Sequence, residues 1–124
     1  MDEYEILEDK NILIFKPTFV SRTQVPQKAL YEKAHREMVD LIVSYGYPSV
    51  LADCRDIRMD FSLKSIIEKT DMWKRLRMSK NVKVACVFNE IDDAIKLRES
   101  RLHSYGYQVL VFTDYDKAMK WLLE

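Results

Sequence analysis

Ser44-Tyr-Gly-Tyr-Pro-Ser-Val-Leu-Ala-Asp-Cys-Arg-Asp56 is the stretch that decides the fold of this 124-residue chain. Its first part is typical of a helix end, because a glycine just after a helix takes positive φ without a Cβ clash. The apolar run at 50–54 is typical of a strand that is buried on both faces. The stretch therefore predicts a switch from helix to strand, and the strand delivers Asp53, Arg55 and Asp56 to one end of a sheet.

The front of this stretch occurs twice in the chain. Ser-Tyr-Gly-Tyr stands at 44–47 and again at 104–107, and its central residues, Gly46 and Gly106, are the only two glycines. The second copy precedes another apolar run, at 108–112. We interpret the repeat as one local solution used twice, a helix end followed by a strand, and internal duplication is the alternative.

The remaining elements follow from hydrophobic periodicity. Alternating or continuous apolar runs predict strands at 4–8, 12–15, 50–54, 82–88 and 108–112. Helical spacing predicts helices at about 25–45, 62–80, 90–105 and from 114 onward. The order β-β-α-β-α-β-α-β-α predicts a single α/β domain over 1–124, with a five-stranded, mostly parallel mixed sheet, an antiparallel N-terminal hairpin at its edge and four helices.

The same spacing predicts which helical residues face the core. The first stripe comprises Leu30, Ala34, Met38, Leu41, Ile42 and Tyr45. The second comprises Leu63, Ile66, Ile67, Thr70, Trp73 and Leu76. Asn89 is predicted to be the N-cap of the third helix, Glu90 to Tyr105.

Composition excludes several classes of protein. Twenty basic and twenty acidic residues cancel, which argues against nucleic-acid binding through a basic surface. No apolar run approaches the ~20 residues of a membrane span, and the acidic start has no signal-peptide core, so the cytoplasm is expected. Cys54 and Cys86 lie in apolar runs without a C-x-x-C motif, which predicts two small buried hydrophobes in a reducing compartment, no metal site and no cofactor.

The C-terminal half resembles a known family. The strand at 82–88, the helix ending at Gly106 and the segment Val109-Leu-Val-Phe-Thr-Asp…Ala118-x-x-Trp121-Leu122 resemble the SpoIIAA-like family of small bacterial proteins, which is related to STAS and CRAL-TRIO domains. The element order matches over nearly the whole chain, and the C-terminal motif is the more specific part. The resemblance implies a SpoIIAA/STAS-like, non-enzymatic domain, often a dimer, that binds a protein partner, itself included.

The chain departs from the related STAS proteins at one motif. Anti-sigma-factor antagonists of the STAS group carry a phosphorylatable serine in an Asp-Ser-Ser-Gly motif, and the matching positions here read Asp60-Phe61-Ser62-Leu63. Phe61 occupies the acceptor position and the glycine is absent. Ser62 remains, and it has the alternative interpretation of a helix N-cap.

Polar residues collect where the predicted parallel strands end, which is the edge where open α/β sheets bind ligands. A buried aspartate such as Asp53 needs a partner, and Arg55 or Arg58 would supply one. Such a group either pins loops or contacts a ligand or partner, and both interpretations stay open. The loop 18–23 is expected at the same edge. The ligand- or partner-contacting candidates are Asp53, Arg55, Asp56, Ser62, Asn89 and Asp114.

Two further hypotheses remain. An enzyme would use Asp53, Asp56 and Asp114 around an open cleft, but the sequence has no phosphate loop and no nucleophile elbow. His35 and His103 are predicted to be surface or half-buried helix residues and not a catalytic pair. A carrier of a small apolar ligand would use the Met and aromatic residues near the helices, which are Met59, Phe61, Met72, Trp73 and Met78.

The partner hypotheses have their own sequence features. The basic helix at 64–80 suits an acidic partner or a membrane surface, or is a solvated outer face. If most helices cover one face of the sheet, Leu110 and Phe112 leave apolar groups on the other. A second subunit would cover them, so we expect a homodimer.

Overall fold

The computed structural model describes residues 4–17, 28–55 and 62–124. Within these ranges the chain forms five strands and four helices in the predicted order. The strands are β1 (Tyr4–Asp9), β2 (Ile12–Pro17), β3 (Ser49–Asp53), β4 (Lys83–Val87) and β5 (Gln108–Phe112). The helices are α1 (Lys28–Tyr45), α2 (Leu63–Arg75), α3 (Asp93–Ser104) and α4 (Tyr115–Leu123).

The strands form one mixed sheet with the spatial order β1-β2-β3-β4-β5. β1 and β2 pair antiparallel, and every other neighbouring pair is parallel. Since sequential strands are also spatial neighbours, each helical connection moves the chain one place along the sheet. The predicted α/β fold with an antiparallel N-terminal edge is confirmed.

A two-residue turn joins β1 to β2. Lys10 and Asn11 have φ of 53° and 65°, and positive φ at both central residues is the signature of a type I′ turn. This turn matches the right-handed twist of the strands, and it sets the register that places Asp9 opposite Ile12.

The sheet has two faces with unequal cover. Alternate strand residues, such as Leu13, Val50 and Val84, pack against α1, α2 and α3, and we call this side the helix-layer face. The intervening residues pack against α4, and we call this side the α4 face. Its buried strand residues are Ile12, Ile14, Leu51, Ala85 and Val87. Three helices therefore cover one side and a single nine-residue helix covers the other.

Both glycines end helices as predicted. Gly46 has φ of +69° and its N–H donates to the Ile42 carbonyl at 2.8 Å. Gly106 has φ of +92° and its N–H donates to the His103 carbonyl at 2.9 Å. This left-handed backbone costs a residue with a Cβ more than it costs glycine.

Some predicted core positions are wrong. Tyr45 is 74% exposed, because it is the last residue of α1 and no described element packs beside that end of the helix. Leu63 is 63% exposed and Ile67 37%. One residue of an α-helix turns by about 100°, so these two lie on the flank of the face that buries Ile66, Thr70 and Trp73.

Candidate functional site

Asp53 ends β3 as a buried carboxylate in a two-point ion pair. Arg55 Nε lies 2.8 Å from Oδ1, and Arg55 Nη2 lies 2.9 Å from Oδ2. The Arg55 backbone N–H also donates to Oδ1 at 3.3 Å. Burial raises the pKa of Asp53, but the hydrogen bonds and charge of Arg55 outweigh it and hold the pKa below its ordinary value. The predicted pairing with Arg55 is present, and it holds Arg55 against the end of β3.

Arg55 also connects the end of β3 to the start of α4. Its guanidinium carbon lies 5.0 Å from the centroid of the Tyr115 ring, within the range of a cation–π contact. Burial raises the pKa of Tyr115, and the nearby Asp53 carboxylate adds to that shift. Asp53, Arg55 and Tyr115 therefore form one unit that joins two elements, and the 40% exposed Arg55 side chain is its accessible part.

Two other candidates cap helices. Ser62 Oγ accepts the Ser65 N–H at 3.3 Å at the start of α2, which is the N-cap alternative predicted for this serine. Asp114 Oδ1 accepts the Lys117 N–H at 3.1 Å at the start of α4. Each side chain satisfies a backbone donor that the helix itself leaves without a partner.

The prediction that Asn89 is the N-cap of α3 is wrong. α3 begins at Asp93, and its N-cap is Asp92, whose Oδ1 accepts the Ile95 N–H at 2.9 Å. Asp92 is as good a capping residue as Asn89, and the chain leaves β4 through an irregular stretch before it enters the helix. Asn89 is exposed and lies in that stretch.

Several candidates lie outside the described residues. They are Asp56, Met59, Phe61 and the loop 18–23. The three-carboxylate enzyme hypothesis therefore has two described members, and both have structural partners. Asp53 is paired with Arg55 and Asp114 caps α4, so neither meets the condition of an open acidic cleft.

The two histidines lie in different environments. His35 is buried, with its ring centroid 6.2 Å from that of Phe15 and 6.3 Å from that of Trp73. Its predicted surface or half-buried position is wrong, because rings from β2 and α2 close over it. His103 is exposed, and its Nε2 is hydrogen-bonded to the Val109 carbonyl.

Arg98 is a buried cation that the sequence interpretation missed. It is 4% exposed, its Nη1 lies 3.8 Å from Cys86 Sγ, and its guanidinium carbon lies 5.8 Å from the Trp73 ring centroid. The signal was its spacing, since Ile95 and Leu102 on the same helix are buried three and four residues away. Its charge was the reason to expect it outside.

The thiol of Cys54 is not activated. Burial raises the pKa of Cys54, and the neighbouring Cys86 raises it further, while Arg98 opposes the shift. Because the thiolate is the reactive form, this environment makes Cys54 a weak nucleophile. Both cysteines are free. Cys86 is buried as predicted, but the prediction for Cys54 is wrong, since its residue is only half-buried.

Trp73 carries an unusual donor. Its ring is buried among Tyr107, His35 and Arg98, and its Nε1 is a buried donor without a hydrogen-bond partner among the described residues. Such a group is costly to bury unless an acceptor reaches it. Among the buried side-chain nitrogen and oxygen atoms of the described residues, it is the one that an added acceptor atom would satisfy.

Comparison with known proteins adds no family. Neither a scan against models of protein families nor a search of curated proteins finds a match. None of the helices in the described ranges has the length and apolar character to cross a membrane. Among the described side chains, no group of three or more His, Cys, Asp or Glu could hold a metal ion.

Proposed function

We propose that the chain is a non-enzymatic, cytoplasmic protein-interaction module of the SpoIIAA/STAS-like kind, and that its partner is a second copy of itself. The observation that supports this is the unequal cover of the sheet. α1, α2 and α3 pack on the helix-layer face, whereas α4 alone packs on the other. α4 buries the middle of this face but leaves Leu7 and Leu123 exposed at its margin, and exposed apolar groups of this kind are typical of a surface that binds another protein.

Two of the exposed apolar side chains in the described residues lie on this side of the sheet. Leu7 on β1 is 50% exposed and Leu123 at the end of α4 is 52% exposed. Leu110 and Phe112 on β5 are half-buried on the same face. Their burial against a partner would be favourable, at about 25 cal/mol for each Å² of apolar surface removed from water.

The charges of α4 favour a second copy over another partner. Asp116 and Lys120 are both exposed and stand one turn apart on the helix. A two-fold axis that crosses α4 at the level of Ala118 would place the α4 helices of two copies antiparallel. Asp116 of each copy would then meet Lys120 of the other. A surface that is complementary to itself in this way suits an isologous dimer.

Sedimentation velocity over a broad concentration series tests the proposal. We expect a monomer–dimer equilibrium that Leu7→Lys and Leu123→Lys each shift toward monomer. Val43→Lys is the matched control. It also replaces an exposed apolar residue with lysine, but Val43, which is 75% exposed, lies on α1 in the opposite layer. A strict monomer at every concentration contradicts the proposal.

Charge exchange tests the orientation of the dimer. Lys120→Asp should weaken association, because it places two carboxylates together across the axis. Asp116→Lys combined with Lys120→Asp should restore it, with circular dichroism as the check that α4 still forms. If the double variant dissociates as readily as the single one, the antiparallel arrangement is wrong.

A carrier of a small ligand is the second candidate, and Trp73 Nε1 is the observation that favours it. A ligand with an apolar body and one acceptor atom would satisfy this buried donor. Against it, Met72, Trp73 and Met78 are buried in the described core. Native mass spectrometry of the purified protein should show a bound mass that Trp73→Phe removes; an unliganded protein contradicts this candidate.

A further inference from the structure

The two edge strands of the sheet differ in how their outer backbone groups are covered, and those of β5 are hydrogen-bonded to α3. The Val111 N–H donates to Glu99 Oε2 at 2.8 Å, and the Val109 carbonyl is hydrogen-bonded to His103 Nε2. Glu99 and His103 stand one turn apart on α3, so one helix face engages an outward donor and an outward acceptor of the strand. Covering an edge in this way prevents another strand from adding to it.

β1 forms the opposite edge, and its outer backbone groups are not covered by another described element. The type I′ turn is closed by a hydrogen-bonded pair, Asp9 with Ile12. Because bonded and non-bonded pairs alternate along an antiparallel ladder, Ile6 and Glu8 point their N–H and C=O groups away from β2. These groups form a template for an additional strand.

The exposed side chains at positions 5–9 are three acids and one apolar residue, while Ile6 packs against the core. Glu5, Glu8 and Asp9 are all exposed, and the half-exposed Leu7 lies between Glu5 and Asp9 on the α4 face. A complementary strand would carry Lys or Arg opposite Glu5 and Asp9, and an apolar residue opposite Leu7. Opposite charges in directly facing positions stabilise a strand pair, and like charges destabilise it.

We propose that the outer edge of β1 binds an extended basic peptide segment as an added antiparallel strand. A second copy of β1 is a poor occupant, because it would bring the carboxylates of both copies to one edge. The partner is therefore a different chain, or a basic segment of one, with alternating basic and apolar residues. This proposal does not depend on self-association through the α4 face: Leu7 belongs to both surfaces, but the outward backbone groups of Ile6 and Glu8 belong to the β1 edge alone.

Peptide binding tests the chemistry. The probe is a fluorescently labelled peptide with alternating Lys and Val, followed by fluorescence anisotropy at low and high salt. A Glu/Val peptide is the charge control. A Lys/Val peptide methylated on alternate backbone nitrogens keeps the charge but loses the donors that reach Ile6 and Glu8. We expect binding of the first peptide only, weaker at high salt.

Variants of the edge locate the site. Glu5→Lys should raise the dissociation constant about tenfold, since it removes an attraction and adds a repulsion. Glu90→Lys is the matched control, because Glu90 is also exposed but follows β4. Ile6→Pro removes one outward N–H and should abolish binding, while proline on an edge strand with an outward N–H is compatible with the fold.

The outcomes separate the explanations. Equal binding of the Lys/Val peptide and its methylated form overturns strand addition, because charge is then sufficient. No binding of either peptide overturns the proposal and leaves the acidic edge as protection against aggregation. If Ile6→Pro fails to fold, the methylated peptide still decides. A protein that is monomeric but binds the peptide contradicts the α4 dimer and supports the β1 edge.

Discussion

The two copies of Ser-Tyr-Gly-Tyr end their helices in the same way but place their tyrosines in different environments. In the first copy Tyr45 is 74% exposed and Tyr47 is half-buried beside it, with ring centroids 6.4 Å apart. In the second copy the Tyr105 hydroxyl donates to Asp71 Oδ1 at 2.7 Å, and Tyr107 is only 5% exposed. The same four residues therefore have one backbone role and two different side-chain roles.

The difference comes from the neighbouring helix. α3 packs beside α2, which brings Asp71 and Lys74 to Tyr105 and the Trp73 ring to Tyr107. The end of α1 has no comparable neighbour among the described residues, so Tyr45 stays in solvent. A short repeated sequence thus specifies the turn, and the surrounding elements specify what its side chains do.

The variants with the largest expected effect replace the second tyrosine of each copy. Tyr107→Ala should lower the free energy of unfolding by about 3–4 kcal/mol, because it leaves a cavity beside the Trp73 ring, 5.3 Å away. Tyr47→Ala should cost about 1 kcal/mol, since Tyr47 is only half-buried. Urea denaturation measures both. Equal losses would mean that the second copy has no special packing.

Replacing each glycine with alanine tests the shared backbone role. Both variants should lose stability by about 1–2 kcal/mol, the cost of a left-handed residue with a Cβ. Gly106→Ala should lose more, because its φ of +92° lies farther from the left-handed helical minimum than the +69° of Gly46. Steric contact adds little to this difference, because a Cβ at 106 would lie in ordinary contact with Lys80 Cδ at 3.4 Å and position 46 has nothing within 4 Å. Thermal or urea unfolding of the pair decides the order.

The fold could be predicted because its elements are marked locally. Periodicity gave five strands and four helices in the right order, and the bounds of β5 at 108–112 are those observed. Faces were harder to predict. Tyr45, Leu63 and Ile67 have helical spacing, but exposure depends on which neighbour covers a flank, and that is tertiary information.

The candidate site was predictable in part. The pairing of Asp53 with Arg55 followed from the cost of burying a carboxylate, and the Ser62 cap followed from its position. Asn89 failed because Asp92 competes for the same role three residues later. The edge contacts of Glu99 and His103 were hidden, since nothing in a helix sequence shows which strand edge its side chains will reach.

The variants with the smallest expected effect remove the hydroxyl of the first tyrosine of each copy. The hydrogen bond to Asp71 raises the pKa of Tyr105, and burial adds to the shift. A raised folded-state pKa favours the neutral phenol in the native protein, so its contribution to stability is complete below the unfolded-state pKa of about 10. That contribution is lost as the pH rises through the folded-state value.

Tyr105→Phe should therefore destabilise the protein slightly at neutral pH, and its difference from the natural sequence should shrink in strongly alkaline solution. Tyr45→Phe is the matched control, since its ring is largely in solvent, and it should leave stability at neutral pH unchanged. Urea denaturation at neutral pH and again above the ordinary tyrosine range measures both variants. If both tyrosines behave alike at neutral pH, the hydrogen bond between Tyr105 and Asp71 contributes nothing. The two copies would then differ only through the burial of Tyr107.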